Sequence, residues 1–128
     1  MSRLPINRPV NVTRDLNKTR FENEDINLFE LFASVHGAAP GIIVDRTFVG
    51  CRIQGPAVML VSAGVQFNDV NFGSPDGEMR NLVLHPAGAR AYGTIPMRNC
   101  SFDGCEFYNV GFTGPEDILR QLLAVGRS

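Results

Sequence analysis

Four residues between positions 75 and 94 have side chains suited to binding an anion. Arg80, His85 and Arg90 stand five residues apart, and Tyr92 follows two residues after the last of them. A guanidinium group presents N–H donors in a planar fork that matches the oxygens of a phosphate or a carboxylate. Gathered in one pocket, these four residues would form a site for an anion or a partner, or the site of a small enzyme.

The same stretch is also rich in residues that form turns, and this favours a different interpretation. The turn formers are Pro75, Asp76, Gly77, Pro86 and Gly88. A guanidinium cannot lie unpaired in an apolar interior, so the stretch either bulges outward as a loop or builds a polar pocket. The turn formers favour the loop.

Residues 95–114 carry a period of five, IPMRN-CSFDG-CEFYN-VGFTG. Each block has a bulky apolar residue at its centre, a smaller apolar residue two places earlier, and Asn or Gly two places later. A helix has a period of 3.6 and a strand a period of two, so neither gathers this pattern on one face. The spacing predicts a chain that turns a corner every five residues, with a left-handed backbone conformation at the corner.

The same period runs from residue 41 to residue 74 and returns in phase at Ile95. The predicted corners are Asp45, Gly50, Gly55, Asp69, Asn99, Gly104, Asn109 and Gly114. Four sides would make one coil of about twenty residues, with coils stacked at about 4.8 Å. Stacking in chain order predicts two columns of side chains, one of Ile53, Phe72, Tyr92 and Phe112 and the other of Phe48, Phe67, Ala87 and Phe107.

The three cysteines, Cys51, Cys100 and Cys105, each stand two residues before a bulky apolar residue. We expect them to fill the interior as small apolar side chains. A zinc site would need four ligands at suitable spacing, and none is visible, so no metal or other cofactor is predicted. In the stacked coils His85 and Cys105 fall in one column, which makes a reactive Cys–His pair conceivable, although interior thiols are usually inert.

A helix is predicted on each side of the repeat. Asn27 and Glu30 have capping-box spacing, and the helix over 28–36 would present the stripe Leu28, Leu31, Phe32 and Val35. A competing interpretation places Phe21, Ile26 and Leu31 on the five-residue period. Thr113 and Glu116 form a second capping box, and the helix over 116–124 would use the stripe Ile118, Leu119, Leu122 and Leu123 for assembly.

Residues 1–20 form a basic segment that we call the arm. The arm carries Arg3, Arg8, Arg14, Lys18 and Arg20 against Asp15 alone, and the acidic residues Glu22, Glu24, Asp25 and Glu30 follow it. We predict four regions: an extended or disordered arm (1–20), a capping-helix region (21–40), a β-helix (41–114) and a C-terminal helix (115–128). In an oligomer the arm would clamp the acidic stretch of a neighbouring copy.

Blocks such as CSFDG and CEFYN resemble the pentapeptide repeat family, whose unit is a small residue, a polar residue, Leu or Phe, a polar residue and often Gly. The best matches cover 46–55, 65–74 and 95–114, with the irregular 75–94 between them. The resemblance implies a right-handed quadrilateral β-helix. The predicted fold class is therefore all-β, a short right-handed β-helix of about four coils with capping α-helices before and after.

The best-understood members of that family are dimeric, strongly acidic DNA mimics that bind DNA gyrase. This chain departs from them, because its net charge is −1 and few acidic residues precede the central positions. An inhibitor or regulator of a DNA-handling enzyme is therefore the second functional hypothesis, by family analogy. The first is a non-catalytic protein-binding or self-assembly module.

The composition indicates where in the cell the protein is expected to act. The chain has 128 residues, 44% of them hydrophobic, and a mean hydropathy of −0.03. No apolar run approaches the length of about 20 residues that spans a bilayer, and the start lacks the apolar core of a secretory signal. We expect a cytoplasmic homo-oligomer, a dimer or a trimer, that contacts no membrane and does not bind nucleic acid directly, with another protein as an alternative partner.

Overall fold

The computed structural model describes residues 6–36, 42–73, 82–84 and 94–125, and these ranges contain nine strands and two helices. The strands are β1 (Arg20–Glu22), β2 (Asp25–Asn27), β3 (Ile43–Val44), β4 (Thr47–Val49), β5 (Arg52–Val61), β6 (Gln66–Asn68), β7 (Ile95–Arg98), β8 (Ser101–Asp103) and β9 (Glu106–Thr113). The helices are α1 (Leu28–His36) and α2 (Glu116–Val125).

The strands form two sheets in which every pairing is parallel. The four-stranded sheet has the order β1-β4-β8-β6, and the five-stranded sheet has the order β2-β5-β7-β3, with β9 also paired to β5. The chain passes from one sheet to the other at short corners, such as Asn23 between β1 and β2 and Gly50 between β4 and β5.

This strand order shows that the predicted fold class, a single right-handed β-helix with coils stacked in chain order, is wrong. Strand β8 lies between β4 and β6, so a late segment is inserted between two earlier ones. Phe48 pairs with Phe102, and Ile53 with Phe107, so neither predicted column exists as drawn. The physical reason is that the period fixes which side chains point inward but does not fix which strand they pack against.

The corners themselves are confirmed at six of the eight predicted positions. Asp45, Asp69, Asn99 and Asn109 have φ between 52° and 57°, and Gly50 and Gly104 have φ of 62° and 63°. Gly, Asn and Asp adopt this left-handed conformation at the lowest cost, which is why they stand there.

Gly55 and Gly114 are the two exceptions, since neither has a positive φ. Glycine is needed at Gly55 for a different reason, because a Cβ there would lie 2.0 Å from the carbonyl oxygen of Asn109. The same holds at Gly114, where a Cβ would lie 2.7 Å from the Val61 oxygen. Both glycines allow a close approach of two backbones.

A stack of aromatic rings runs through the core in the order of the first sheet. Phe48 stacks on Phe21 with ring centroids 5.1 Å apart and on Phe102 at 4.7 Å, and Phe102 stacks on Phe67 at 5.4 Å. Phe21, Phe48 and Phe102 are completely buried. Each buried ring contributes about 1.5–3 kcal/mol of transfer free energy before its entropy cost, so this stack is a main source of stability.

Helix α1 begins as its capping sequence predicts. The Glu30 N–H donates to the Asn27 side-chain oxygen over 3.0 Å, and Leu28 and Leu31 on the inner face are completely buried. Helix α2 occupies the predicted region, but its predicted capping box does not form. Thr113 is buried as the last residue of β9, and its hydroxyl has no partner among the described residues. The first hydrogen bond of the helix is the one from the Leu119 N–H to the Pro115 carbonyl oxygen.

Neither helix in the described part of the chain is long and apolar enough to cross a membrane.

Candidate binding groove

A groove opens between β6 and α2, and it encloses about 530 Å³. Its apolar lining comes from the end of β5, from the chain around β6 and from one side of α2, as Val61, Val65, Phe67, Val70, Phe72, Ile118 and Leu122. Its polar lining is Gln66, Asn68, Asp69 and Gln121.

Phe67 lines the groove and also packs on the core. One face of its ring stacks on Phe102, and the ring contacts Phe72 at a centroid distance of 5.3 Å. Phe67 is only partly buried, whereas the Phe102 ring behind it is completely buried. This difference arises because β6 is the last strand of its sheet among the described residues, so no further described strand covers Phe67.

Helix α2 forms the opposite wall and uses its apolar stripe unequally. Leu119 and Leu122 are 2% and 4% exposed, so they already pack on the protein's own core. Ile118 and Leu123 are half-buried and flank that contact. Of the four residues predicted for assembly, two therefore seal the chain's own interior and two retain apolar surface.

The chemistry of the groove suits an apolar occupant. Among the described residues the lining contains amide side chains and one carboxylate, Asp69, and no Arg, Lys or His. Primary amides can both donate and accept hydrogen bonds, as an extended peptide backbone requires. The described lining can therefore take apolar side chains and hydrogen-bond a neighbouring main chain, and it offers no cation to an anion.

The four residues of the predicted anion site, Arg80, His85, Arg90 and Tyr92, lie outside the described residues. Of 75–94 the structure describes only 82–84 and 94, where Val83 is buried and forms a parallel bridge to Phe112, so the choice between a loop and a pocket is not tested. The predicted Cys–His pair also includes His85, which is not described. Both the anion site and this pair stay predictions.

A second polar cluster lies where the described part of the arm crosses the strands. The Asp25 carboxylate accepts hydrogen bonds from Arg52 Nε at 2.7 Å, from Arg8 Nη1 at 3.2 Å and from the Asn11 N–H at 2.7 Å. Arg52 also donates to the carbonyl oxygens of Arg8 and Pro9. The arm is thus held to the body through a carboxylate that is only 4% exposed.

A separate contact between Lys18 and Glu24 attaches the arm farther along the chain. The Lys18 ammonium group also lies over the Phe21 ring, 5.3 Å from its centroid. Arg8 and Lys18 therefore contact the acidic stretch of their own chain. A contact with the acidic stretch of a neighbouring copy stays a prediction.

These ion pairs determine the acidity of the two carboxyl groups. Burial alone would raise the pKa of Asp25, but the hydrogen bonds from Arg52 and Asn11 and the charges of Arg8 and Arg52 outweigh it and lower that pKa. For Glu24, burial is again opposed, chiefly by Lys18, and the pKa is lowered. Both groups are therefore held as carboxylates at neutral pH.

Glu106 forms a row of alternating charges with Asp25 and Arg52. In the paired strands Asp25 stands beside Arg52, and Arg52 stands beside Glu106, so the signs alternate across three strands. Glu106 is 1% exposed and accepts the Ile6 N–H at 2.7 Å. Its other oxygen, Oε1, has no hydrogen-bond partner in the described part of the chain. The row is therefore a structural attachment for the arm rather than an acid–base pair.

Nothing in the described ranges groups three His, Cys, Asp or Glu residues closely enough to hold a metal ion. The sequence did not single out the groove, and it assigned the contact between the arm and the acidic stretch to a neighbouring copy. Phe67 and Val65 fitted the five-residue period as ordinary interior positions, and nothing in their spacing marks them as the end of a stack. The Arg8–Asp25 contact had a signal, the adjoining basic and acidic stretches.

Comparison with known proteins identifies no relative: no family model, no curated protein and no solved structure matches this chain. The resemblance to pentapeptide repeat proteins therefore stays a prediction.

Proposed function

We propose that this protein is a non-catalytic module that binds protein and assembles with further copies of itself, using the groove between β6 and α2. The observation that carries the proposal is the apolar, amide-rimmed groove at a sheet end, with Phe67 and Ile118 on its two walls. A strand at the end of a sheet is a ready template for another chain unless it is covered.

The half-buried apolar residues of α2 favour self-assembly. Ile118 and Leu123 keep apolar surface beside the buried pair Leu119 and Leu122, so a second copy would extend an apolar contact that already exists. A two-fold dimer is the commonest closed arrangement and a trimer comes next. The proposal places this assembly in the cytoplasm, which is supported by three free and buried thiols.

The test is the mass of the full chain in solution, measured by light scattering over a wide range of concentrations. We expect a dimer for the native protein and a shift toward monomer for Ile118→Lys, which places a charge on the groove wall. Phe29→Lys is the matched control, because Phe29 is a 60% exposed apolar residue on α1 and does not line the groove. Circular dichroism checks that both variants keep the native fold.

Two results would contradict the self-assembly proposal. One is a native chain that stays monomeric at the highest concentration. The other is a native dimer that Ile118→Lys leaves intact while Phe29→Lys dissociates it, which would place the interface on α1.

A further inference from the structure

Cys51 and Cys105 stand side by side, each directly before one of the paired parallel strands β5 and β9. Each follows a corner glycine, Gly50 or Gly104, and each precedes one member of the paired residues Arg52 and Glu106. The Glu106 N–H donates to the Cys51 carbonyl oxygen at 2.9 Å, which fixes the two cysteines at the same level. Both are completely buried.

The two thiols are close enough that each alters the pKa of the other. Each sulfur has a backbone acceptor, Phe21 O at 3.4 Å from Cys51 Sγ and Phe48 O at 3.3 Å from Cys105 Sγ. The neighbouring Cys51 thiol, followed by burial, raises the pKa of Cys105, and the neighbouring Cys105 thiol lowers the pKa of Cys51. Of the two, Cys51 is therefore the thiol that loses its proton first.

We propose that Cys51 and Cys105 are an oxidation site, and that they form an intrachain disulfide when the protein meets a small-molecule disulfide such as oxidised glutathione. This goes beyond the proposed binding function and does not depend on it. Neighbouring strands are about 4.8 Å apart, which lies inside the Cα separation of about 4.4–6.8 Å found in disulfides. The Cβ atoms of neighbouring strands must approach by up to about 1 Å to reach the Cβ separation of about 3.8 Å typical of disulfides.

The chemistry is two successive thiol–disulfide exchanges. The Cys51 thiol gives up its proton, and its thiolate attacks one sulfur of the small disulfide and displaces a small thiolate. The Cys105 thiol then gives up its proton, and its thiolate attacks the Cys51 sulfur of the mixed disulfide and displaces the second small thiolate. The protein loses two electrons and two protons, and the small disulfide becomes two thiols.

Access to the pair requires a local opening, because the arm lies across both corners. Arg8 Nη2 donates to the Gly50 carbonyl oxygen at 3.3 Å, and the Ile6 N–H donates to Glu106. The reaction is therefore expected to be slow in buffer alone and faster in sub-denaturing urea, where such openings are more frequent.

Cys100 is the matched control within the same chain. It is also completely buried, and its sulfur bonds to the carbonyl oxygens of Ile43 and Arg98. Its strand contacts are to Arg46, whose oxygen accepts the Ser101 N–H, and to Gln66, whose N–H donates to Cys100 O. Neither Cys51 nor Cys105 is among these neighbours, so Cys100 should stay a free thiol.

The experiment treats the full chain with oxidised glutathione, with and without sub-denaturing urea, and then alkylates free thiols in denaturant for intact mass and peptide mapping. In the native chain we expect a Cys51–Cys105 peptide link and one alkylated cysteine, Cys100. In Cys100→Ser we expect the same link and no alkylated cysteine. Cys51→Ser and Cys105→Ser should give only a mixed disulfide with glutathione. The linked protein should also unfold at a higher urea concentration than the reduced protein, because the bond closes a long loop.

Three outcomes would overturn the proposal. The first is a link that includes Cys100. The second is a link between two chains rather than within one. The third is glutathione adducts on both Cys51 and Cys105 with no link, which would show that the sulfurs are reachable but cannot join.

Discussion

Replacing Asp25 by Asn tests whether the buried carboxylate holds the arm to the body. Asn has nearly the same shape, but it removes the negative charge that faces Arg8 and Arg52 and leaves two guanidinium groups without their counter-charge. Those side chains are 18% and 14% exposed, so water can reach them only in part.

The size of the effect follows from this burial. Removing one partner of a buried ion pair costs about 3–5 kcal/mol, and the residual exposure of the two arginines places this case near the lower end, at about 3 kcal/mol. With a urea dependence of about 1.5 kcal/mol per M, the midpoint of unfolding should fall by about 2 M.

The assay is urea unfolding followed by circular dichroism, with Glu22→Gln as the control. Glu22 also pairs with an arginine, Arg20, at 3.3 Å, but the two side chains are 57% and 59% exposed. An exposed pair contributes about 0–1 kcal/mol, so this variant should barely move the midpoint. If Asp25→Asn and Glu22→Gln destabilise the protein equally, the buried row of charges does not stabilise it as described.

Two further predictions concern the core and the pH dependence of stability. Phe102→Ala should lower the free energy of unfolding by about 3–5 kcal/mol, because its completely buried ring stacks between two others, whereas Phe29→Ala, at a 60% exposed position, should change it by less than about 0.5 kcal/mol. Because folding lowers the pKa values of Asp25 and Glu24, their contribution should be complete above about pH 5 and lost progressively as the pH falls below it. Urea midpoints between pH 7 and pH 2 check this; in Asp25→Asn the decline should be smaller, and an equal decline in both proteins would contradict the assignment.

The parts of the fold that the sequence predicts correctly are the local ones. Asn99, Gly104 and Asp45 turn the chain because their own side chains, or the lack of one, favour a positive φ. The first helix begins at its predicted cap because Asn27 and Glu30 are three residues apart and need no distant partner. Such preferences can be read from a few neighbouring residues.

The choice of strand partners cannot be read in this way. Phe48 packs on Phe102 rather than on Phe67, although any of these rings would bury a similar area in the column. The ten-residue strand β5 also pairs with three others, which a five-residue period does not suggest. The groove could not be predicted for the same reason, because it forms only where β6 and α2 come together in the folded chain.

The insertion of β8 between β4 and β6 has a consequence for how the chain folds. In an array whose repeats stack in order, each unit docks on the one before it, and folding spreads along the chain. Here the Phe48 ring meets its closest stacking partner, Phe102, only after most of the chain exists, and Ile53 waits in the same way for Phe107. During synthesis the first half must therefore remain without its central layer until the second half emerges, and the domain should then fold as one slow, cooperative unit.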